Sequence, residues 1–485
     1  MQQEKKLRIL ELYSGIGGMH WALKESGINY EIVLAVDINT TANKVYEHNF
    51  SGVPLQSMGI EKLSLKLLDS LSINAILMSP PCQPFTRVGK KGDCNDIRTK
   101  SFLHILGLVS QLLNKPDYIL VENVKGFETS QTREKLVECL KACNYSYQEF
   151  LLTPLQFGVP NCRLRYYLIA NLKQHFSFAI HSQISNQLPS IEDSSVESKH
   201  HATHPRCHPE TRNNISEHGR EQVGHFTDTE HSSNIASTSE PSDIGTRLDT
   251  EEVNNDINSW GHEPILQNSP SSLGKLVGQC STPFSKNNQT QHLDLKDAGR
   301  NMRYCEEEDE LIQESSRCLS EYMEDDVDFS EYWLSDKELR MFVIMDIVYP
   351  DLKKSICFTK RYGHYVEGAG SVVQMSSNIE HVKAASELKS HAVKRNNRHE
   401  WGEKEMEILR QLKLRYFTPR EVANLLCFPK DFNFPPGLTK VQKYRVLGNS
   451  LNVLVVAQLI RLMTHHQDSR HANSTTVIDV TVCHV

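Results

Sequence analysis

Leu7-Arg8-Ile9-Leu10-Glu11-Leu12-Tyr13-Ser14-Gly15-Ile16-Gly17-Gly18 decides the fold. The first half is a short strand candidate, and it ends in a glycine-rich turn. Met19 to about Ser26 then takes helical spacing. Missing side chains in the turn let a ligand approach the backbone closely. Ile32 to Val36 reads as the second strand, and Asp37 follows it. A carboxylate at that strand end can hydrogen-bond ribose hydroxyls. The turn is Gly-x-Gly-Gly rather than Gly-x-Gly-x-x-Gly, so it suits a single adenosyl ligand better than a dinucleotide.

Working outward, Thr40 to His48 is helical and Ala75 to Met78 is a buried strand. A helix from Ser101 to Leu113, a strand from Tyr118 to Val121 and a helix from Thr132 to Ala142 follow. Tyr147–Leu152 and Tyr166–Ala170 are late strands. Strands alternating with helices predict an α/β fold with a mostly parallel sheet. Ligands of such sheets lie at the carboxyl ends of the strands. Two of those ends carry reactive groups. Ser79-Pro80-Pro81-Cys82-Gln83-Pro84-Phe85-Thr86 follows the strand at 75–78. Its prolines fix φ and remove donors, so the loop is stiff. That places the Cys82 thiol as a candidate nucleophile; the bland alternative is a small buried hydrophobe. Glu122-Asn123-Val124 ends the next strand, and Glu122 is either a catalytic carboxylate or a structural cap.

The 485 residues carry a net charge of −7, so no global basic signature marks a nucleic-acid partner. Any basic surface must be local. Arg87, Lys90, Lys91 and Arg98 follow Cys82 closely and are candidates for phosphate contacts. The twelve cysteines are scattered. With no signal-peptide core and no long apolar run, this predicts free thiols, no membrane partner and a cytoplasmic location, with nuclear entry open.

Residues 7–172 form the first part of the expected catalytic domain. A polar stretch over 183–315 is too poor in apolar residues to offset its ordering entropy and reads as a disordered insertion. His201, His204, Cys207 and His208 have metal-like spacing within it, but no second ligand cluster frames them, and no metal is expected. A small second domain spans 330–400, with Met341–Tyr349 and Ser355–Thr359 as strands or a strand–helix pair, and with polar sequence over 376–404. Compact sequence resumes over 412–465, ending in an apolar helix, and 466–485 is a tail.

The motifs together resemble the cytosine C5-methyltransferases, which use S-adenosylmethionine. The resemblance covers 7–172 and about 340–464. The glycine turn is similar to the family's cofactor motif, and Pro80-Pro81-Cys82-Gln83 to its nucleophile motif. Glu122-Asn123-Val124 is similar to the acid motif, Arg163-Leu164-Arg165-Tyr166 to the Arg-x-Arg motif, and Gly448-Asn449-Ser450-Leu451-Asn452-Val453 to the final motif. The resemblance implies a Rossmann-like methyltransferase core with a small target-recognition domain. It implies catalytic roles for Cys82, Glu122, Arg163 and Arg165. It also implies cofactor contacts at Ile16, Gly17, Gly18, Asp37, Ile38, Ile60, Glu61, Ser79 and Ser450.

Carbon 5 of cytosine is a poor nucleophile. A thiolate adding at carbon 6 makes it enamine-like, so that it can accept a methyl group; proton loss and thiol elimination then release the product. The base must be flipped out or already lie in a loop.

Cys357-Phe358-Thr359, followed by Tyr362, Tyr365, Gly368, Gly370 and Ser371, resembles the signature of the family's tRNA-methylating branch. That branch acts on cytosine 38 in the anticodon loop of aspartate tRNA, so tRNA is the expected partner. Cys357 itself reads as a packed core thiol. DNA cytosine methylation is the first alternative, and a catalytically silent nucleic-acid-binding scaffold the second. The presence of both Cys82 and Glu122 argues against the scaffold.

Overall fold

The main sheet contains β1 (Leu7–Leu12), β2 (Tyr30–Asp37), β3 (Leu55–Ser57), β4 (Ala75–Met78), β5 (Tyr118–Val124), β6 (Ser146–Leu152) and β7 (Arg165–Asn171). The computed structural model describes residues 6–81, 97–173, 175–189, 315–325, 327–395 and 400–465. The strands lie in the order β3-β2-β1-β4-β5-β7-β6. All neighbours are parallel except β7, which runs antiparallel to β5 and to β6. The sheet is therefore mostly parallel, as expected. The chain lays β2 and β3 to one side of β1, then crosses to place β4 on the other. That reversal opens a crevice at the carboxyl ends of β1 and β4.

Successive residues of each strand face opposite layers, and both layers are apolar. Ile9, Ala75, Leu77, Leu120 and Ile169 pack with α1 (Gly18–Ser26) and the C-terminal helix Val453–Thr464. Leu10, Leu12, Ile76, Met78, Ile119 and Val121 pack in the other layer. There they meet Phe102 and Ile105 of the helix Ile97–Gln111, and Leu136 and Leu140 of the helix Gln131–Ala142. Each such fully buried aliphatic side chain contributes about 1.5–3 kcal/mol. Local chemistry starts the helices: Asn39 accepts from the Thr41 and Ala42 amides to open α2 (Thr40–Asn49), and Ser130 accepts from Arg133 at 3.0 Å.

Beyond β7 the chain stays on the sheet edge up to residue 189, where Ser185 bridges Phe150 and the Gln148 side chain donates to the Gln183 carbonyl. The expected insertion boundary at 183 therefore falls too early by a few residues. Residues 190–314, including His201, His204, Cys207 and His208, lie outside the described residues, as does the tail from 466.

A second sheet joins β8 (Ile347–Val348), β9 (Val372–Gln374) and β10 (Leu414–Tyr416) in the order β10-β9-β8. The expected small domain and the C-terminal segment thus share one sheet, because β10 pairs antiparallel with β9. Ser355–Thr359 is not a strand. Its backbone is satisfied by irregular partners instead: the Ser355 carbonyl accepts from Cys162, the Ile356 amide donates to the Ser371 hydroxyl, and the Thr359 amide donates to the Ala369 carbonyl. Within the polar stretch at 376–404 the structure has a helix, Ile379–Arg395, buried along Ala385 and Ala392.

Lys440–Thr464 is apolar enough and long enough, by composition, to cross a membrane, which the expectation of no long apolar run overlooked. Here it is broken at Asn449–Asn452, and its second half is buried against α1, as a core helix is.

Candidate active site

The crevice holds a cavity of about 330 Å³. Its floor is the turn after β1, where Tyr13, Ser14, Gly15, Ile16 and Gly18 line it. Gly18 cannot carry a side chain: a Cβ there would lie 2.9 Å from Leu451 Cγ and 3.2 Å from Ser450 Oγ. The closing motif near the C-terminus therefore seats directly on the first turn. Ile38 is largely exposed and, with Asp37 and Asn39, forms the wall at the end of β2. Asp37 is fixed in place by its own neighbours, accepting from the Gly15 amide at 2.8 Å and the Asn39 amide at 2.7 Å. Burial raises its carboxyl pKa, against those hydrogen bonds.

At the other end β5 runs three residues past the expected Val121 and carries Glu122 within the strand. Arg165 opens β7 opposite Val124, so Glu122 and Arg165 are diagonal neighbours on one face of the antiparallel pair. Arg165 Nε lies 3.6 Å from Glu122 Oε1, which is close enough for attraction but too long for a hydrogen bond. Glu122 is 8% exposed, and burial raises its pKa even though Arg165 and Arg163 pull the other way.

Arg163 is buried, and its guanidinium is divided among several acceptors. Nη1 donates to the Phe358 carbonyl at 3.1 Å, and Nη2 to the carbonyls of Gly448 and Ser450. Both arginines also reach one thiol: Cys357 Sγ lies 3.3 Å from Arg163 Nη1 and 3.5 Å from Arg165 Nη2. Burial pushes the Cys357 thiol up, but the two guanidiniums outweigh it and hold its pKa below the ordinary thiol value. Cys357 is therefore no ordinary packed core thiol; it belongs to the arginine cluster. A cysteine within a strand-like run gave no sequence signal of that partnership. Asn123 was also missed. It is buried, and its side-chain amide donates to the Pro80 carbonyl at 3.3 Å, tying β5 to the start of the proline loop.

Ile16, Gly18, Asp37, Ile38, Ser79, Ser450, Glu122, Arg163 and Arg165 all line this one cavity. Gly17 does not: its Cα faces Phe50. Ile60 is buried in the turn after β3, outside the cavity lining, and Glu61 beside it acts on the Tyr13 hydroxyl from a separate position. Ser79, Pro80 and Pro81 reach the cavity wall. Cys82, Arg87, Lys90 and Lys91 lie outside the described residues, as does the side chain of Arg98.

These residues fit an adenosyl cofactor on their own chemistry. The floor at Gly15, where a missing side chain leaves open space, admits a ligand against the backbone, and Asp37 presents a fixed carboxylate at the ribose position. The carboxyl–arginine end is polar, as an aromatic base with ring nitrogens and an exocyclic amine requires.

The family model for C-5 cytosine-specific DNA methylase matches residues 7–465. The chain is 39% identical to a Homo sapiens protein named tRNA (cytosine(38)-C(5))-methyltransferase, over 94% of this chain and 99% of that one. It is 32% identical to a Dictyostelium discoideum protein named DNA (cytosine-5)-methyltransferase, over 95% of this chain and 94% of that one. A crystal structure of a Spodoptera frugiperda DNMT2 mutant matches with a TM-score of 0.62 at 35% identity, covering 95% of this chain and 100% of that one.

Proposed function

The chain belongs to the C-5 cytosine-specific DNA methylase family, and we propose that it methylates carbon 5 of a cytosine in tRNA, at position 38 of the anticodon loop of aspartate tRNA. One observation carries the reaction class: a single cavity joins the glycine turn and Asp37 to Glu122, Arg163 and Arg165. The names of relatives at 39% and 40% identity support tRNA as the substrate.

S-adenosylmethionine, when bound, supplies the methyl group; Ile16, Gly18, Asp37, Ile38, Ser79 and Ser450 are the residues that would hold it. Cys82 is the nucleophile in this reading, adding to carbon 6 of the cytosine from the loop that Pro80 and Pro81 bring to the cavity. Glu122 faces the N3 and exocyclic-amine edge of the base. Burial raises its pKa against the two arginines, and the carboxyl in its protonated form would donate to N3 as charge develops on the ring. Arg165 lies diagonally beside Glu122 and orients it. Arg163 is a positioning residue: by donating to the Gly448, Ser450 and Phe358 carbonyls it fastens the closing motif and the Cys357 loop to β7.

Labelled methyl transfer tests the proposal on unmodified aspartate tRNA, the same tRNA with cytosine 38 replaced, and duplex DNA. Label is expected on the first alone, and Cys82→Ala should abolish it. Label on DNA with silent tRNA would favour the reading that the Dictyostelium relative's name supports. Label on neither would remove the catalytic assignment.

A further inference from the structure

The loop that delivers Cys357 to the arginines does not end there. Thr359 and Lys360 pack against Gly448 so closely that a Cβ at Gly448 would overlap their backbone, so the next turn leaves directly from the cavity wall. In that turn the amides of His364 and Tyr365 both donate to the Arg361 carbonyl at 3.1 Å. Two tyrosines three residues apart then behave differently. Tyr362 is 2% exposed, donates to the Ser371 carbonyl at 2.7 Å and accepts from the Phe417 amide at 2.8 Å. Tyr365 is 49% exposed. The Arg361 guanidinium lies 5.3 Å from the Tyr365 ring centre, and the His364 ring meets it edge-on at 4.6 Å. The ring stands half-exposed on the surface, with a cation and a second ring against it.

We propose that Tyr365, supported by Arg361 and His364, is a stacking platform for an unpaired base next to the methylated cytosine. This rests on the reading of the substrate as an RNA loop. A cytosine that enters the cavity leaves its neighbour without a stacking partner. Proteins that bind single-stranded RNA offer aromatic rings and guanidinium planes to such bases. A ring already held by a cation and a second ring loses little freedom when a base settles on it. The platform thus favours a single-stranded loop over a continuous duplex, whose bases stay stacked on each other.

The test uses the full chain with aspartate tRNA transcript. Tyr365→Ala should lower kcat/KM at least tenfold, chiefly through KM, while Tyr365→Phe stays within twofold and Arg361→Ala falls between. Melting temperature and S-adenosylmethionine binding should match wild type in all three. Each nucleotide flanking the target cytosine is then made abasic in turn. One abasic position should reproduce the tenfold loss in wild type and cost nothing further in Tyr365→Ala. Parity of Tyr365→Ala with wild type, additive losses at every flanking position, or a lowered melting temperature in Tyr365→Ala would each overturn the platform while leaving tRNA methylation standing. Wild-type protein that methylates DNA and leaves tRNA untouched would overturn both readings.

Discussion

Among the described residues, two of the buried clusters that contain a glutamate and an arginine are built in opposite ways. Arg415 and Glu421, both 0% exposed, form a two-pronged pair at 2.7 and 2.8 Å. The Glu421 oxygens also accept from the Thr418 amide at 2.7 Å and the Glu324 amide at 3.1 Å, and the Phe329 ring covers the guanidinium at 4.0 Å. The carboxylate there is surrounded by donors and lines no cavity that holds the reactive groups. Glu122 and Arg165 stand 3.6 Å apart, with Arg163 turned toward carbonyls and a thiol. An ion pair whose carboxylate is satisfied on both oxygens fixes a fold; a buried carboxyl left short of donors beside a cavity is poised to take a partner from solution.

Breaking the first cluster should cost most. Arg415→Ala leaves Glu421 charged and buried without its partner, and chemical denaturation should show a loss of about 3–5 kcal/mol. A loss below about 1 kcal/mol would erase the contrast. The second cluster should answer in activity instead. Glu122→Gln should slow methyl transfer about 100- to 1,000-fold, or roughly 3–4 kcal/mol, with an equal or higher melting temperature because a buried acid has gone. A stability loss matching that of Arg415→Ala would make Glu122 a structural residue.

Glu11 sharpens the comparison as a buried carboxyl with no cation beside it. Burial pushes its pKa from 4.5 up to about 8, against the Tyr46 hydroxyl that donates to it at 2.8 Å. A folded pKa above the unfolded one means that its stabilising contribution is full below the unfolded value and is lost as pH rises through about 8. Relative to Glu11→Gln, the wild type should therefore lose about 1.4 kcal/mol of stability between pH 6 and pH 7. A gap that is flat with pH would mean that Glu11 ionises in the fold as it does in the unfolded chain.

The first half of the chain was legible because its strands are apolar runs with turns at both ends, and Ala75–Met78 matches the strand seen. β5 was read three residues short because the apolar run stops at Glu122, while the backbone pairing with β7 continues through Val124. The helix Ile379–Arg395 was hidden by composition: Val382, Ala385, Leu388 and Ala392 do keep helical spacing, but within sequence too polar to attract notice. Most of the cavity wall was readable because glycine turn and carboxylate lie on adjacent strand ends. The Cys357 partnership was not, since 194 residues separate that thiol from Arg163 and no local pattern reports a contact across such a distance. Gly17 came with the glycine turn, and Ile60 and Glu61 from the family resemblance; none of the three lines the cavity.

The closing motif also has a consequence for synthesis. α1 packs against the helix Val453–Thr464, and Ser450 and Leu451 sit over Gly18. The ribosome makes the first of these partners more than four hundred residues before the second. At about 5–20 residues per second, the apolar face of α1 waits roughly 20–90 s for its cover. The methyl-donor pocket is thus among the last parts of the nascent protein to close, and a chain truncated before Ser450 would hold its reactive residues with the Ser450 and Leu451 wall over Gly18 missing.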